Sequence, residues 1–223
     1  MSLSKITFVF LPIVMMTLLY VCSTTSADII NTGFESGTGT DAASWNEIEV
    51  AGGAQGATAT ADRVQMMANT GAYSLLLDVV GAPDFGPVAE IQQQSAVGTV
   101  TGGTAYDFSF FAKGDLGPGA VAFYEVLWFD GDGSNGGGPQ GSATGLQNFN
   151  ANIGATYSQT FVGGLVAPAS ADSALVQIRL VTGAFDGARG TIYIDDATFT
   201  AVPEPTATVC LAICSLAGLR RRR

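Results

Sequence analysis

One segment of the sequence alternates large rings with a carboxylate. In VAFYEVLWFD, residues 121–130, side chains of a β-strand would point to opposite faces in turn. One face then carries Phe123 and Glu125, and the other carries Tyr124 and Trp128. An unpaired carboxylate is costly to bury, so the face with Glu125 is the better candidate for a partly solvated groove. We expect either a central strand covered on both faces, or a strand with core on one face and a ligand cleft on the other.

Aromatic rings and a few polar side chains in a groove are the groups that recognise sugars. Pyranose faces stack on rings, and sugar hydroxyls need hydrogen-bond partners. The candidate sugar-binding residues are Trp45, Phe123, Tyr124, Glu125 and Trp128, with Gln92 and Gln94 as further polar partners. A lone tryptophan in a β-sandwich is often a core residue, so we expect at least one of the two tryptophans to be buried.

The absence of histidine restricts the possible catalytic chemistry. It excludes Ser-His-Asp and Cys-His arrangements and any metal site with histidine ligands. Two carboxylates would be enough for glycoside hydrolysis, but the sequence does not reveal the distance between any pair of acids. The glycine-rich strings do not match a phosphate-binding spacing. We therefore predict that the chain is not an enzyme.

The elements that must position these residues are predicted to be β-strands. Short alternating or apolar segments are separated by breakers such as AGGAQG, GAPDFGP and GDGSNGGGPQG, which is typical of an all-β sandwich. The predicted strands are 47–51, 57–60, 63–68, 73–80, 87–94, 104–113, 119–130, 156–162, 174–182 and 190–200. Residues 141–155 are predicted to form a long polar loop. No linker divides residues 28–202, which we interpret as one domain.

Charge and cysteine content narrow the possible partners of this domain. Residues 28–202 contain eighteen acidic and four basic residues, a net charge of −14. Such a surface repels nucleic acid and anionic lipid headgroups, and it tolerates neutral ligands and favours Ca²⁺. All three cysteines lie outside 28–202, so burial or a metal must stabilise the domain without disulfides.

The order of several motifs resembles a known family of sugar-binding domains. The domain opens with IINTGFESG, continues with a tryptophan in AASWNEI and closes with GTIYIDDATFT. Between them lie TGAYSLLLDV, YDFSFFAKG, VLWFDGDGS and APASADSALVQIRLV. This order is similar to that of the galactose-binding-like jelly rolls, especially the carbohydrate-binding modules of families 4, 9 and 22. The resemblance covers nearly all of 28–200 and implies an antiparallel jelly-roll β-sandwich without catalytic activity.

The same resemblance implies a structural Ca²⁺ that joins the first and last strands. Its ligands would be the Glu35 carboxylate, the Gly33 carbonyl, the carboxylate and backbone oxygen of Asp196, and a carbonyl near Tyr73. Such a set is chemically reasonable because Ca²⁺ takes six to eight hard oxygen ligands. Alternatively, Glu35 is a turn residue, and Asp195 and Asp196 cap a sheet edge.

A second acidic run, DGDGSNGGG, has EF-hand-like spacing at Asp130, Asp132 and Ser134. The position where an EF-hand has its bidentate glutamate is Gly141, and no flanking helices are indicated. We interpret this run as a glycine-rich hairpin loop.

The first 27 residues have the pattern of a secretory signal peptide. Lys5 precedes an apolar run from Ile6 to Val21, and small polar residues follow up to Ala27. An uncleaved anchor is the alternative. A lipoprotein signal at Cys22 is rejected because Val21 is larger than the small residue usual before the lipidated cysteine.

The last 21 residues, 203–223, resemble the PEP-CTERM sorting signal of Gram-negative and related bacteria. Pro203, Glu204 and Pro205 are followed by the apolar run 206–219 and by Arg220, Arg221, Arg222 and Arg223. The run would form a transmembrane helix of about 21 Å, shorter than the ~30 Å hydrocarbon core. The arginines would stay cytoplasmic. The resemblance implies transient anchoring in the inner membrane, processing by an exosortase with Glu204 central to recognition, and a final location at the cell surface or in the extracellular matrix.

These observations together predict an exported, non-catalytic protein whose sandwich binds carbohydrate, with an exopolysaccharide as a possible partner and no nucleic acid. Two alternatives stay open at this point. One is a structural matrix or adhesion protein without a glycan site, and the other is a polysaccharide-degrading enzyme.

Overall fold

The computed structural model describes residues 28–52, 56–65, 67–133 and 138–203. The predicted signal helix (1–27), the apolar run 206–219 and the sorting residues Glu204, Pro205 and Arg220 to Arg223 lie outside these ranges. Pro203 is described and is exposed, two residues after the last strand. In the described ranges, no helix is long and apolar enough to cross a lipid bilayer.

The described residues form thirteen β-strands and one short 3-10 helix, Asn150–Asn152. In chain order, the strands are β1 (Gly37–Thr38), β2 (Asp41–Ala42), β3 (Asn46–Val50), β4 (Thr58–Gln65), β5 (Tyr73–Val80), β6 (Val88–Gln94), β7 (Ala105–Leu116), β8 (Val121–Asp130), β9 (Gly138–Ser142), β10 (Gln147–Asn148), β11 (Ser158–Val166), β12 (Ser173–Val181) and β13 (Arg189–Ala201).

Two antiparallel sheets face each other across the core. The six-stranded sheet has the order β10-β8-β12-β6-β3, with β9 also paired to β8, and the five-stranded sheet has the order β11-β7-β13-β5-β4. Strands β1 and β2 make a separate small hairpin. This arrangement confirms the predicted all-β sandwich of antiparallel sheets.

Most predicted strands are confirmed to within a few residues, and two predictions are wrong. Residues 57–60 and 63–68 are not separate strands, because β4 runs through both as a continuous partner of β5. The predicted loop 141–155 contains β10 and the end of β9, which both pair with β8. Backbone pairing with a long neighbour therefore orders residues whose own polar side chains predict a loop.

The inner faces of the two sheets meet in a core rich in aromatic residues. Tyr106 stacks on Phe199 with ring centroids 5.2 Å apart, and Phe110 meets Phe149 edge to face at 5.0 Å. The Tyr106 hydroxyl accepts a hydrogen bond from the Thr101 backbone N–H, as a buried phenol requires. Burial of these rings supplies the main driving force for packing the sheets together.

Candidate functional site

The outer face of the six-stranded sheet carries a continuous row of polar side chains. Asn46 on β3 pairs with Gln92 on β6, which pairs with Gln177 on β12, which pairs with Glu125 on β8. Directly paired residues of antiparallel strands share a face, so this row crosses four neighbouring strands. We call it the polar row, and the outer surface that contains it the polar face.

Two flanking rows complete the polar face. On one side, Glu90, Arg179 and Phe123 are cross-strand partners, and on the other, Leu175 pairs with Leu127. Leu175, Leu127 and Phe123 are half-buried, and they place apolar surface beside the polar row. A flat surface that combines apolar contact with closely spaced hydrogen-bonding groups is suited to an amphipathic ligand such as a sugar chain.

Hydrogen bonds hold the side chains of the polar face in place. Gln177 Nε2 donates to Glu125 Oε2 at 2.7 Å, and Arg179 Nη2 lies 3.2 Å from Glu90 Oε2 in an ion pair. Burial raises the pKa of Glu90 above its ordinary value, and the Arg179 charge opposes this shift. Arg179 Nε is buried and has no hydrogen-bond partner in the structure, so the guanidinium is not fully satisfied by Glu90.

A groove of about 460 Å³ begins at one end of the polar row. Amide side chains of Asn46, Gln92 and Gln94 line it, together with Leu175 and the exposed Val97. Gln94 Nε2 donates to Ser173 Oγ at 2.9 Å, which orients its amide. Amides can both donate and accept hydrogen bonds, so this groove can bind hydroxyl groups in either orientation.

The predicted sugar-binding residues divide between the outer face of the sheet and the core, and the buried ones contradict their predicted role. Phe123 and Glu125 lie on the polar face, and Gln92 and Gln94 line the groove. Trp45, Tyr124 and Trp128 are buried in the core. The reason is strand alternation. Tyr124 and Trp128 lie on the same face of β8 as the fully buried Val126, and that face points into the core.

Each of the three buried rings has core partners that account for it. Trp45 packs on Phe34 at 5.2 Å and its indole N–H donates to the Asn31 carbonyl. Trp128 contacts Tyr106 at 5.6 Å, and Tyr124 contacts Phe110 at 5.8 Å. These rings stabilise the sandwich and are not available to stack on a ligand.

Asn46, Gln177 and Arg179 are residues of the polar face that the sequence analysis missed. A signal for two of them is present in SALVQIRLV, where Gln177 and Arg179 alternate with Val176, Ile178 and Leu180. That alternation indicates one apolar and one polar face of a strand. It does not indicate which other strands lie beside it.

Gly33, Glu35, Tyr73 and Asp196, the residues of the predicted metal site, lie near one another at a different part of the sandwich. Gly33 faces the carboxylates of Asp195 and Asp196 and the side chain of Glu35. The backbone N–H groups of Ala72 and Tyr73 donate to Glu35 Oε1 at 2.9 and 3.0 Å. The turn before β5 therefore connects the segment before β1 to strand β13.

Asp195 and Asp196 bind the same turn. Asp195 Oδ2 accepts from the backbone N–H groups of Asn69 and Thr70 at 2.6 and 3.1 Å. Asp196 accepts from Thr70 Oγ1 at 2.6 Å and from Asn69 Nδ2 at 2.8 Å. We call Glu35, Asn69, Thr70, Asp195 and Asp196 the terminal clasp. Burial raises the pKa of Asp195 to about 6 although three backbone N–H groups oppose the shift.

The terminal clasp is a hydrogen-bonded arrangement in this structure. Both carboxylate oxygens of Asp196 and one of Glu35 accept hydrogen bonds from the chain, and each Asp196 oxygen keeps a second lone pair. Among the described residues, no group of three or more acidic, cysteine or histidine side chains is arranged to hold a metal ion. The calcium site at Gly33, Glu35, Tyr73 and Asp196 stays a prediction.

Comparison with known proteins shows similarity in fold. No protein-family profile matches the sequence, and no curated protein matches it. The enzymatically active domain of tailspike protein 4 of bacteriophage CBA120 is similar over 78% of this chain and 21% of that chain, with a TM-score of 0.54 and 16% identity. This chain therefore spans only about a fifth of that structure.

Carbohydrate-binding modules are among the other similar structures. One, from work on the promiscuous specificity of modules of the β-sandwich superfamily, is similar over 75% of this chain and 60% of that chain, with a TM-score of 0.50 and 16% identity. A xylan-binding domain of family 22 aligns with 76% of this chain and 92% of its own length at 18% identity, with a lower TM-score of 0.47. The tailspike domain and the module of promiscuous specificity are each 16% identical to this chain. Similarity at that level of identity supports the β-sandwich fold alone.

Proposed function

We propose that the polar face binds a neutral polysaccharide and that the chain acts as a non-catalytic carbohydrate-binding protein. The observation that carries this proposal is the polar row, in which Asn46, Gln92, Gln177 and Glu125 lie side by side on four paired strands. Neighbouring strands are about 4.8 Å apart, so the row is about 14 Å long. That length suits several units of a linear glycan.

The chemistry of the polar face suits sugar hydroxyls. Asn46, Gln92 and Gln94 provide amide donors and acceptors, and Glu125 provides a charged acceptor. Phe123 and Leu175 provide apolar surface for the carbon-rich faces of sugar rings. The hydrogen bond between Gln177 and Glu125 holds both side chains in position before a ligand arrives, which reduces the entropy lost on binding.

The charge of the domain favours a neutral ligand on this face. Residues 28–202 carry a net charge of −14; Glu125 lies in the polar row, Glu90 lies beside it, and Asp132 lines the groove at its end. The single cation of the face, Arg179, is engaged by Glu90. A polyanion would therefore be repelled from this surface.

A glycan array with the purified full-length chain tests the proposal, followed by calorimetry on the glycans that bind. Gln92→Ala is expected to lower the affinity about tenfold, the scale of one lost hydrogen bond, and Val166→Ala on the distant edge strand β11 is the matched control. A flat array would contradict glycan binding and favour a structural matrix role. Release of shortened products from a bound polysaccharide would instead identify an enzyme.

We also propose that the chain is exported and sorted to the cell surface or matrix. The support is the sequence alone: the signal-like residues 1–27 and the tail with Pro203, Glu204, Pro205 and Arg220 to Arg223. An exosortase would process the tail, with transient anchoring in the inner membrane. A protein delivered in this way would meet extracellular polysaccharide, which agrees with the proposed ligand class.

A further inference from the structure

A second groove lies on the outer face of the five-stranded sheet, on the opposite side of the sandwich from the polar face. It has a volume of about 730 Å³, within the usual range for pockets that hold small ligands. Its lining includes Lys113, Asp115, Asn150, Thr191 and Tyr193. We call it the tyrosine groove, because Tyr193 and the neighbouring Tyr157 flank its lysine.

Strand pairing explains why the groove contains a lysine between two rings. Lys113 on β7 is the cross-strand partner of Tyr193 on β13, while Ala112 and Ile192 on the same strands are fully buried in the core. Lys113 and Tyr193 therefore both point outward. The Lys113 ammonium lies 4.6 Å from the ring centre of Tyr157 and 5.7 Å from that of Tyr193, distances that permit cation–π attraction.

Lys113 is a cation without a carboxylate partner among the described residues. The single ion pair among these described residues joins Arg179 to Glu90. Arg63 is held by the carbonyl oxygens of Phe34 and Glu35 and stacks over Tyr73. Lys113 is thus available to pair with an anionic group that enters the groove.

The other polar groups of the groove suit hydroxyls better than a second anionic group. Asp115 is exposed, lies two residues from Lys113 on the same face of β7, and is a strong acceptor for hydroxyl hydrogens. Thr191 donates its hydroxyl hydrogen to Asp78 Oδ1, which leaves its oxygen able to accept. Asn150 uses its Oδ1 to accept from the Ala122 N–H, so its amide N–H groups can still donate.

We infer that the tyrosine groove binds a sugar residue that bears a carboxylate, as uronic acids do. The carboxylate pairs with the Lys113 ammonium, the sugar ring packs on Tyr193, and hydroxyl groups reach Asp115 and Asn150. A phosphate or sulfate dianion fits less well, because Asp115 lies in the same groove and no second cation lines it. This inference does not depend on glycan binding at the polar face, since no residue is shared by the two sites.

The inference is tested by calorimetry on the full-length chain with the methyl glycoside of galacturonic acid, which carries one carboxylate, and with its methyl ester, which has the same shape without the charge. The free acid is expected to bind about tenfold more tightly than the ester, the scale of one charge-assisted hydrogen bond. Lys113→Met, which keeps most of the aliphatic stem, should abolish this preference. Lys113→Arg keeps the positive charge and should retain the preference for the free acid. Loss of that preference in Lys113→Arg would overturn the inference even if Lys113→Met fails to fold.

A variant of the polar face locates the binding. Phe123→Ala is expected to leave the affinity for the galacturonic acid glycoside unchanged, and a loss in this variant would place the ligand on the polar face and overturn the inference. Equal affinities for acid and ester, no binding of either, or a preference that persists in Lys113→Met would overturn it as well. The neutral-glycan proposal is tested with Gln92→Ala on the polar face, and this inference is tested with Lys113 variants in the tyrosine groove. Each proposal can therefore be contradicted without affecting the other.

Discussion

Gln177 Nε2 donates a 2.7 Å hydrogen bond to Glu125 Oε2 across the neighbouring strands β12 and β8. The two residues lie far apart in the chain and form the β8 end of the polar row. Gln177 is almost completely buried by its neighbours on this face, while Glu125 is half-exposed. The bond therefore presents the Glu125 carboxylate to solvent in a defined orientation.

A double-mutant cycle on this pair is expected to show coupling in glycan affinity. Glu125→Ala and Gln177→Ala should each weaken binding about tenfold. The double variant should weaken it much less than the product of the two effects, because residues in contact are not energetically independent. Calorimetry with a glycan from the array measures all four affinities.

The matched control for this cycle pairs Glu125→Ala with Gln94→Ala. Gln94 bonds to Ser173 and not to Glu125, so the two effects should multiply. Simple multiplication in the Glu125 and Gln177 cycle would show that the hydrogen bond does not contribute to ligand binding.

Gly71→Ala is expected to destabilise the fold through the terminal clasp. Gly71 has a φ of +67°, and an added Cβ would lie 2.2 Å from Glu35 Oε1. The clash and the left-handed backbone together should lower the free energy of unfolding by about 2–4 kcal/mol. Urea denaturation measures this loss.

Gly39→Ala separates the clash from the backbone cost. Gly39 has a φ of +61° and open space around the position of a Cβ, so the cost should be about 1 kcal/mol. Equal losses in the two variants would mean that the close approach of Gly71 to Glu35 is unimportant.

Glu47→Gln is expected to stabilise the chain at neutral and alkaline pH. Burial is the main reason that the pKa of Glu47 rises from 4.5 to about 7, with Asp41, Asp62 and Glu49 adding to the shift. Between pH 4.5 and pH 7, Glu47 therefore keeps its proton in the folded chain and has already lost it in the unfolded chain. The stabilising contribution is complete below pH 4.5 and is lost as the pH rises through 7.

Glutamine imitates the protonated acid and can still accept the hydrogen bond that Ala42 N–H donates to Glu47 Oε1. The variant should match the wild type at pH 4 and exceed it by about 1 kcal/mol at pH 8, a value reduced because the side chain is partly exposed. Thermal unfolding across this pH range measures the difference. Asp186→Asn, at an exposed acid, is the control, and parallel curves for Glu47→Gln and wild type would contradict the prediction.

Removal of calcium is expected to lower the thermal midpoint if the predicted site forms. A ligand that binds only the folded state raises its stability, so EDTA should destabilise the wild type and added Ca²⁺ should restore it. Asp196→Asn keeps an acceptor for Thr70 but loses the charge, and it should not respond to EDTA. Identical wild-type midpoints with and without EDTA would mean that the terminal clasp functions through its hydrogen bonds alone.

Glu204→Ala tests the proposed sorting signal. The variant should lose its signal peptide normally but keep an uncleaved tail, because Glu204 is the residue expected to be central to exosortase recognition. Mass spectrometry of membrane extracts reads both ends of the chain. Identical C-terminal processing in wild type and variant would rule out the sorting proposal.

Local sequence was sufficient to predict most strands and part of the polar face. Alternation in residues 121–130 indicated that Phe123 and Glu125 share a face and that this face is the wetter one, and the structure confirms both points. The same pattern could not identify Tyr124 and Trp128 as core residues, because both faces of the strand carry large apolar side chains. Their burial depends on the five-stranded sheet, which supplies Tyr106, Phe108 and Phe110 on the opposite side of the core.

Residue patterns predict the all-β class, most of the strand positions and the residues that each strand presents on each face, because side-chain alternation is a local property of the backbone. The folded sheets bring Gln92, Gln177 and Glu125 into one row and place Lys113 beside Tyr193, which no local pattern predicts. Those neighbours come from strands that are distant in the chain, and their pairing follows from how two whole sheets bury their apolar faces together.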